Sequence, residues 1–389
     1  MGLFDRIFSY WRERDDRKVA RQVFKLLNGY SPRWSTWGGA IYESELVRAA
    51  IDARARHVSK LVITTQGTAR PALRNKLRLG PNEWQTWGQF LYRLSTILDV
   101  QTTAIIAPVM NTAGETTGIY PVLPESVELV EYNGVPWVRM KFSGGKTAAV
   151  ELDKVGIMTK YQYKNDFFGE GNKALHPTME LIHTQEQGIK EGVKNSASFR
   201  FMATYDNWTN TVDLKKEGAR FTRENLEGGG GVLLWPSNYR DIKQIDSKPY
   251  ALDADQMKLI DNSVFSYFGV NEDVLQNKAI GDGWSAFYEG AIEPFAIQLS
   301  DVLTKMLFTV RERELGSGVM ATANRLQYMS NQDKLNVSAQ MLDRGIMSIN
   351  DVRQIWNLPP VDGGDARVIR GEYYSVDDKI TVLPADNAE

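Results

Sequence analysis

The chain contains no cysteine, so disulfides, thiol nucleophiles, iron–sulfur clusters and Cys-ligated zinc are all excluded. Histidine is nearly as scarce. His57, His176 and His183 are the full set, and the last two stand seven residues apart, not at the i, i+4 spacing of a helical zinc pair. They read as surface or packing histidines. There is no apolar run long enough for a transmembrane helix, and so no expected membrane partner. A basic excess is missing too: 46 Lys and Arg face 48 Asp and Glu, for a net charge of -2. A protein that clamps nucleic acid statically is usually basic, so that function is disfavoured, whereas a surface that DNA slides past is allowed. No G-x-x-x-x-G-K-[ST] string occurs, which excludes a P-loop motor. The run Gly228–Gly231 has no following Lys and reads as a flexible turn.

The other catalytic readings fare no better. Asp213-Leu214-Lys215 and Asp241-Ile242-Lys243 have the look of half a metal-dependent nuclease site, but no partner carboxylate stands at a recognisable spacing. Asp362-Gly363-Gly364-Asp365 lacks the alternating ligands of a calcium loop and reads as a turn. No cofactor, metal or catalytic residue is expected, and the chain is not read as an enzyme. The start, Met1-Gly2-Leu3-Phe4-Asp5-Arg6, has Arg6 where a myristoylation site needs Ser or Thr, and it lacks a signal-peptide core. The expectation is a cytosolic chain.

What is present is a 389-residue sequence with 42% hydrophobic residues, enough for roughly two or three domains. Leu3, Phe4, Ile7, Phe8 and Trp11 recur at helical spacing, followed by a Gly-, Ser- and Trp-rich arm over 28–40. Residues 43–61 predict a helix with Leu46, Ala50, Ala53, His57 and Leu61 along one side. A second helix, capped by Asn82, carries Trp84, Trp87, Phe90, Leu91, Leu94 and Leu98. From about 103 to 160 the period falls to two. Asn133-Gly134 marks a hairpin in which Val138, Met140 and Phe142 face one side and Trp137, Arg139 and Lys141 the other. Helices are expected over 177–208 and 253–268, the latter ending at Gly269 and followed by a polar loop over 270–284. A long helix over 285–314 is kinked by Pro294, and two short helices lie near 331–343 and 348–356. The fold class is α+β.

Three ordered segments carry a family resemblance. Gly345-Ile346-Met347-Ser348-Ile349-Asn350-Asp351-Val352-Arg353, followed by Leu358-Pro359-Pro360-Val361-Asp362-Gly363-Gly364-Asp365, resembles the closing motif of the portal proteins of tailed bacteriophages, siphophage type. Asp351 stands where Glu is commoner. Phe268-Gly269-Val270-Asn271-Glu272-Asp273-Val274-Leu275 is similar to an F-G-V-P loop of that family, with Asn271 in place of Pro. Phe287-Tyr288 with Ile292-Glu293-Pro294 resembles the start of its long kinked helix, and Leu175-His176-Pro177 the entry to its first stem helix. In the motif's own logic, Ser348 caps a helix, Trp356 buries and the proline pair stops it.

The resemblance implies a map: an N-terminal amphipathic helix and arm (1–40), an α/β wing (41–175), a stem helix (176–208), a small α/β clip (209–250) and a second stem helix (251–269). A tunnel loop (270–284), a wing spine helix (285–325) and a helical crown with flexible tail (326–389) follow. It implies a homo-oligomeric ring, usually a dodecamer, assembled in the host cytoplasm and built into the virion as the head–tail connector at the capsid portal vertex. Double-stranded DNA passes through such a ring, driven inward by the terminase large subunit and later ejected. A head-completion or tail adaptor and the major capsid protein or scaffold are the further partners. Asn271, Glu272, Asp273, Lys278 and Asp282 are the implied channel residues, and Phe221, Trp235 and Tyr239 the implied clip contacts for terminase or adaptor. Lys278 either touches phosphate or is a solvated loop lysine. A near-neutral chain suits this role, because phosphate contacts repeated in every subunit would stall sliding. The competing reading is a virion or scaffold protein without a DNA channel.

Overall fold

A computed structural model describes residues 25–26, 41–111, 113–196, 200–205, 215–216, 219, 239–245, 254–323, 331–356 and 358–369. The predicted N-terminal helix, the arm over 28–40, the turn at Gly228–Gly231 and the tail beyond 369 lie outside the described residues. The chain divides into two units: residues 1–174 with 262–389, and Leu175–Asp261.

In the larger unit, β1 (Lys25–Leu26) precedes α1 (Glu45–Val58). The Ala-rich stretch of α1 lets neighbours approach on several sides, so Val47, Ala50, Ile51, Ala53, Ala55 and Val58 are all fully buried. The helix thus exceeds the single apolar side predicted from its spacing. Next come β2 (Val62–Gln66), α2 (Pro71–Leu79) and α3 (Trp87–Gln101). Asn82 does not cap α3: its Oδ1 accepts from the amides of Trp84 and Gln85, both 2.9 Å, in a turn before the helix. Thr86 caps instead, exchanging hydrogen bonds with Gln89 in a reciprocal capping box.

The expected two-residue alternation of burial shows over Ser126–Leu129 and Trp137–Met140, whereas Thr103–Met110 is buried at every position because both of its faces are covered. Strands β3 (Thr103–Met110), β4 (Thr116–Val122), β5 (Ser126–Tyr132), β6 (Val135–Lys141), β7 (Thr147–Glu151) and β8 (Gly156–Thr159) form two antiparallel sheets, ordered β1-β5-β6-β7 and β4-β3-β8. Asn133 (φ 51°) and Gly134 (φ 77°) both adopt the left-handed turn conformation that the hairpin signal requires. Val138 and Met140 are fully buried and Phe142 packs on the same core. Burying each such side chain is worth about 1.5–3 kcal/mol. On the outer face Arg139 pairs with its cross-strand neighbour Glu128.

The smaller unit holds α4 (His176–Ser196), β9 (Arg200–Tyr205) and β10 (Tyr239–Ile245). The helix predicted to reach 208 stops at Ser196, and residues 200–205 pair antiparallel with β10 instead. Phe201, Thr204 and Tyr205 favour a strand there over a helical continuation. α5 (Ala254–Phe268) follows, its residues from Asn262 onward belonging to the larger unit.

The predicted long helix is segmented. After α6 (Glu272–Leu275), α7 (Gly281–Phe287) runs into a π turn, Tyr288–Ile292, then α8 (Glu293–Leu307) and α9 (Val310–Glu314). Pro294 lacks the amide that a regular helix would give to Gly290, and the wider turn sits just before it. The break before α9 comes from extended backbone at Phe308 and a Thr309–Glu312 capping box. β11 (Gly318–Thr322) pairs with β2 on one edge. On its other edge, Thr304 and Ser300 of α8 accept from the amides of Val319 and Ala321, both 2.9 Å, so hydroxyls replace a missing strand.

The closing motif is a self-stapled loop. α10 (Asn331–Asp343), β12 (Arg344–Ser348), α11 (Ile349–Ile355) and β13 (Arg367–Ile369) form it. Ser348 caps α11 as predicted, in a capping box with Asp351. Asn350 then donates to the Val361 carbonyl (3.1 Å) and to Asp365 (2.7 Å), and accepts from the Val361 amide (2.8 Å). A Cβ at Gly364 would lie 2.5 Å from Asn350 Oδ1, which requires glycine there. Trp356 is 37% exposed, so it does not bury as its apolar character suggested.

Candidate channel-lining segment

The segment from Phe268 to Ile292 carries all five predicted channel residues. It begins where α5 ends: Gly269, at φ 71°, donates to Ser266 (3.1 Å), and Val270 donates to Phe265 (3.0 Å). This reversal turns the chain out of the helix and needs glycine's conformational freedom. Asn271 caps α6 by accepting from the Val274 amide at 2.9 Å, and Val274 is the apolar peg, 1% exposed. A short polar side chain thus does locally what the proline of the resembled motif cannot, because proline offers no acceptor side chain.

The amides of Lys278 and Ala279 both reach back to the Asp273 carbonyl, at 2.7 and 3.1 Å. The predicted polar loop is therefore helical over 272–275 and again from Gly281, with a short hydrogen-bonded connection between. Glu272, Asp273, Lys278 and Asp282 are all exposed, and Ile280 is 81% exposed beside them. None of these four charged side chains forms an ion pair with another described residue. They share one surface segment, with three acids around one base.

Beneath the segment lies a polar network that sequence reasoning missed. Asp99 of α3, its side chain wholly buried, receives Arg54 of α1 and, at 3.0 Å, Lys160. The same Arg54 guanidinium donates to the carbonyl of Ala291 in the π turn, at 3.2 Å. Lys160 lies over the rings of Tyr161 and Phe268, at 5.0 and 5.5 Å. Tyr161 donates to the Tyr267 carbonyl (2.7 Å), and Tyr267 donates to Asn172 (2.8 Å). Asn172 in turn donates to the carbonyls of Asp99 and Val100.

Burial lowers the Lys160 pKa against the opposing pull of Asp99. Burial likewise raises both Tyr161 and Tyr267. One carboxylate therefore ties down both ends of the exposed segment: Tyr267 and Phe268 before it, Ala291 after it. The available signal was an Asp and an Arg inside apolar helical runs, Ile97-Leu98-Asp99-Val100 and Ala53-Arg54-Ala55.

His57 flanks the same segment. Its ring meets Trp284 at 4.7 Å and Phe287 at 5.4 Å, both edge-on. Burial first, then Lys60 and Arg56, lowers its pKa to about 4, so it packs as a neutral ring. His176 and His183 are exposed on α4, beside Glu180 (3.3 Å) and Gln187 (3.0 Å).

Of the predicted clip contacts, Phe221 and Trp235 lie outside the described residues. Tyr239 opens β10 opposite Tyr205. Of the two nuclease-like strings, Asp241 and Lys243 fall on that strand, across a register shift, and Asp213 is outside the described residues. Among the described residues no three His, Asp or Glu side chains gather closely enough to hold a metal ion. No described helix is long and apolar enough to cross a membrane.

Comparison with known proteins adds what geometry alone does not carry. The chain is 20% identical over 210 residues to a probable portal protein of Lactococcus phage p2 and, equally, to one of Lactococcus phage SK1. Each match spans 52% of this chain and about half (54%) of the relative's length. Among solved structures, the neck of an empty gene transfer agent particle, computed with C6 symmetry, shares the fold at TM-score 0.60 and 13% identity. It covers 86% of this chain and 96% of its own. A crystal structure of an HK97 family phage portal protein from Corynebacterium diphtheriae matches at TM-score 0.51 and 12% identity, covering 75% and 95%. The model of the phage portal protein family matches residues 45–357, most of the chain, and the chain belongs to that family.

Proposed function

We propose that this chain is one subunit of a ring, of dodecameric type, at the portal vertex of a phage capsid. Double-stranded DNA is packaged through it by the terminase motor and later ejected, and an adaptor or tail attaches to it. The family match over residues 45–357 carries this reading. It is supported by the fold shared with the neck of a native gene transfer agent particle computed with C12 symmetry, at TM-score 0.58. In this reading residues 41–175 and 285–325 are the wing, 176–208 and 251–269 the stem, 209–250 the clip and 326–389 the crown and tail. The separate compactness of Leu175–Asp261 favours grouping the first stem helix, the clip and the first part of the second stem helix, with Asn262 onward in the larger unit.

The segment 270–284 serves as the channel constriction. Its three exposed acids against Lys278 give a weakly repelling surface, suited to passing phosphates without holding them. Exposed Leu181 and Ile189 on α4, 49% and 37% accessible, are surfaces that heterologous ring contacts would cover. The test is assembly: negative-stain images of purified protein show closed rings with a central hole. A monomer at micromolar concentration, or a filament, overturns the reading. Deleting Gly218–Gly231 spares the ring and abolishes packaging; normal packaging by that deletion removes the clip assignment.

A further inference from the structure

We infer that a cationic cleft in the larger unit, whose lining shares no residue with the candidate channel segment, is a docking site for a short acidic peptide segment of a partner protein. The cleft measures about 720 Å³, within the range of pockets that enclose small ligands or a few side chains. It lies between the amino end of α2, the β3–β4 hairpin, the 3₁₀ turn Leu152–Lys154 and the junction of α8 with α9. Its walls bring together five basic side chains, Arg70, Lys76, Lys154, Lys305 and Arg313, against two acids, Glu115 and Asp153.

Internal pairing consumes only part of this charge. Arg70 is held by Glu312 at 2.9 Å, and Lys154 by Glu151. Lys76, Lys305 and Arg313 have no carboxylate partner among the described residues, and the Arg313 Nε is buried with no hydrogen-bond acceptor. The floor is apolar: Leu73, Met110, Met306 and Phe308 are each buried and line the cleft. Val310, 62% exposed, stands at the rim. The amino end of α2, which no side chain caps, opens on the same space and adds partial positive charge.

Charge complementarity selects an anionic occupant, and the shape selects its class. A DNA duplex presents a convex row of phosphates that a flat basic stripe follows, with no apolar group to fill a greasy floor. A peptide alternating carboxylates with an apolar side chain satisfies both rim and floor. This surface does not depend on the channel reading, and its occupancy is measured separately from ring formation.

The test uses assembled wild-type protein and a short fluorescein-labelled peptide of alternating glutamate and leucine, followed by anisotropy. Saturable binding is expected, with no binding by the matching lysine–leucine peptide. Lys76→Ala with Lys305→Ala should weaken binding roughly tenfold, the loss of two exposed charge contacts. Lys76→Glu with Lys305→Glu should abolish it, while thermal melting and ring images stay unchanged because both lysines are exposed. No binding to wild type, equal binding to the charge-reversed protein, or displacement of the peptide by a DNA duplex at lower concentration each overturns the proposal.

Discussion

Arg54 of α1 reaches the carbonyl oxygen of Ala291, 3.2 Å away in the π turn, with the same guanidinium that holds the buried Asp99. The carboxylate also takes Lys160, so two cations share one anion inside the fold. Removing that anion leaves both cations buried and uncompensated. Asp99→Ala is therefore expected to cost about 3–5 kcal/mol of stability, read as a shifted midpoint in urea unfolding. Replacing the pair together, Asp99→Leu with Arg54→Met, should cost less than Asp99→Ala, because Arg54 no longer needs a partner. A double variant as damaged as the single one would show that the network is held by something other than Asp99.

Gly269 offers a sharper probe of the segment's first turn. At φ 71° it takes a conformation that costs an ordinary residue about 1–2 kcal/mol, while its Cβ position, 3.6 Å from Ala291, is open. Gly269→Ala thus tests strain without a clash. Hydrogen exchange over 269–280 should rise by the same free energy, with the closing motif unaffected.

How far these features were legible in the sequence differs by type. Local chemistry read well: Asn133-Gly134 gave its hairpin, Gly269 its helix end and Ser348 its cap, because each acts through bonds within a few residues. What failed depended on distant partners. Asn82 has the side chain and position expected of the cap of α3, but Thr86 and Gln89 form the reciprocal pair. The strand at 200–205 exists because residues 239–245 pair with it. Asp99, Arg54 and Lys160 are far apart in sequence, and only the fold gives them a common centre. The five channel residues were placed by resemblance, and the structure adds that they share one exposed segment.

His57 gives a pH dependence whose sign is set by burial. Its folded pKa, about 4, lies below the ordinary histidine value of 6.5, so the unfolded chain binds the proton first. Stability is therefore unaffected above pH 6.5 and falls as pH drops from 6.5 to 4, below which the loss levels off. The ring is only part-buried, which screens the effect. Thermal melts at pH 7 and pH 4.5 should show a smaller acid decline for His57→Gln than for wild type. An identical decline in both would mean that the Trp284 and Phe287 contacts leave His57 free to charge.

Asn350 ties three backbone and side-chain partners across the 358–365 turn. Asn350→Ala leaves the amide of Val361 without its 2.8 Å acceptor and releases Asp365. A cost of about 1–3 kcal/mol is expected. Protease cleavage after Arg353 or Arg367 should speed up well before global unfolding; unchanged cleavage would show that the prolines alone hold the turn.

Lys278 tests the proposed channel directly. It is exposed and forms no ion pair with a described residue, while its backbone amide fixes it 2.7 Å from the Asp273 carbonyl. A ring repeats that charge in every subunit, so a weak phosphate contact is multiplied and remains sensitive to salt. Lys278→Glu places one more acid among Glu272, Asp273 and Asp282. It should slow DNA packaging or lower DNA retention at low salt while leaving rings intact. Lys278→Ala removes the contact without adding repulsion and should be milder. Raising the salt should narrow the gap between the two variants, since screening weakens attraction and repulsion alike. A packaging assay on both variants at two salt concentrations separates these outcomes. Equal packaging by wild type and Lys278→Glu at low salt would take Lys278 off the channel wall and leave it a solvated lysine on an exposed turn.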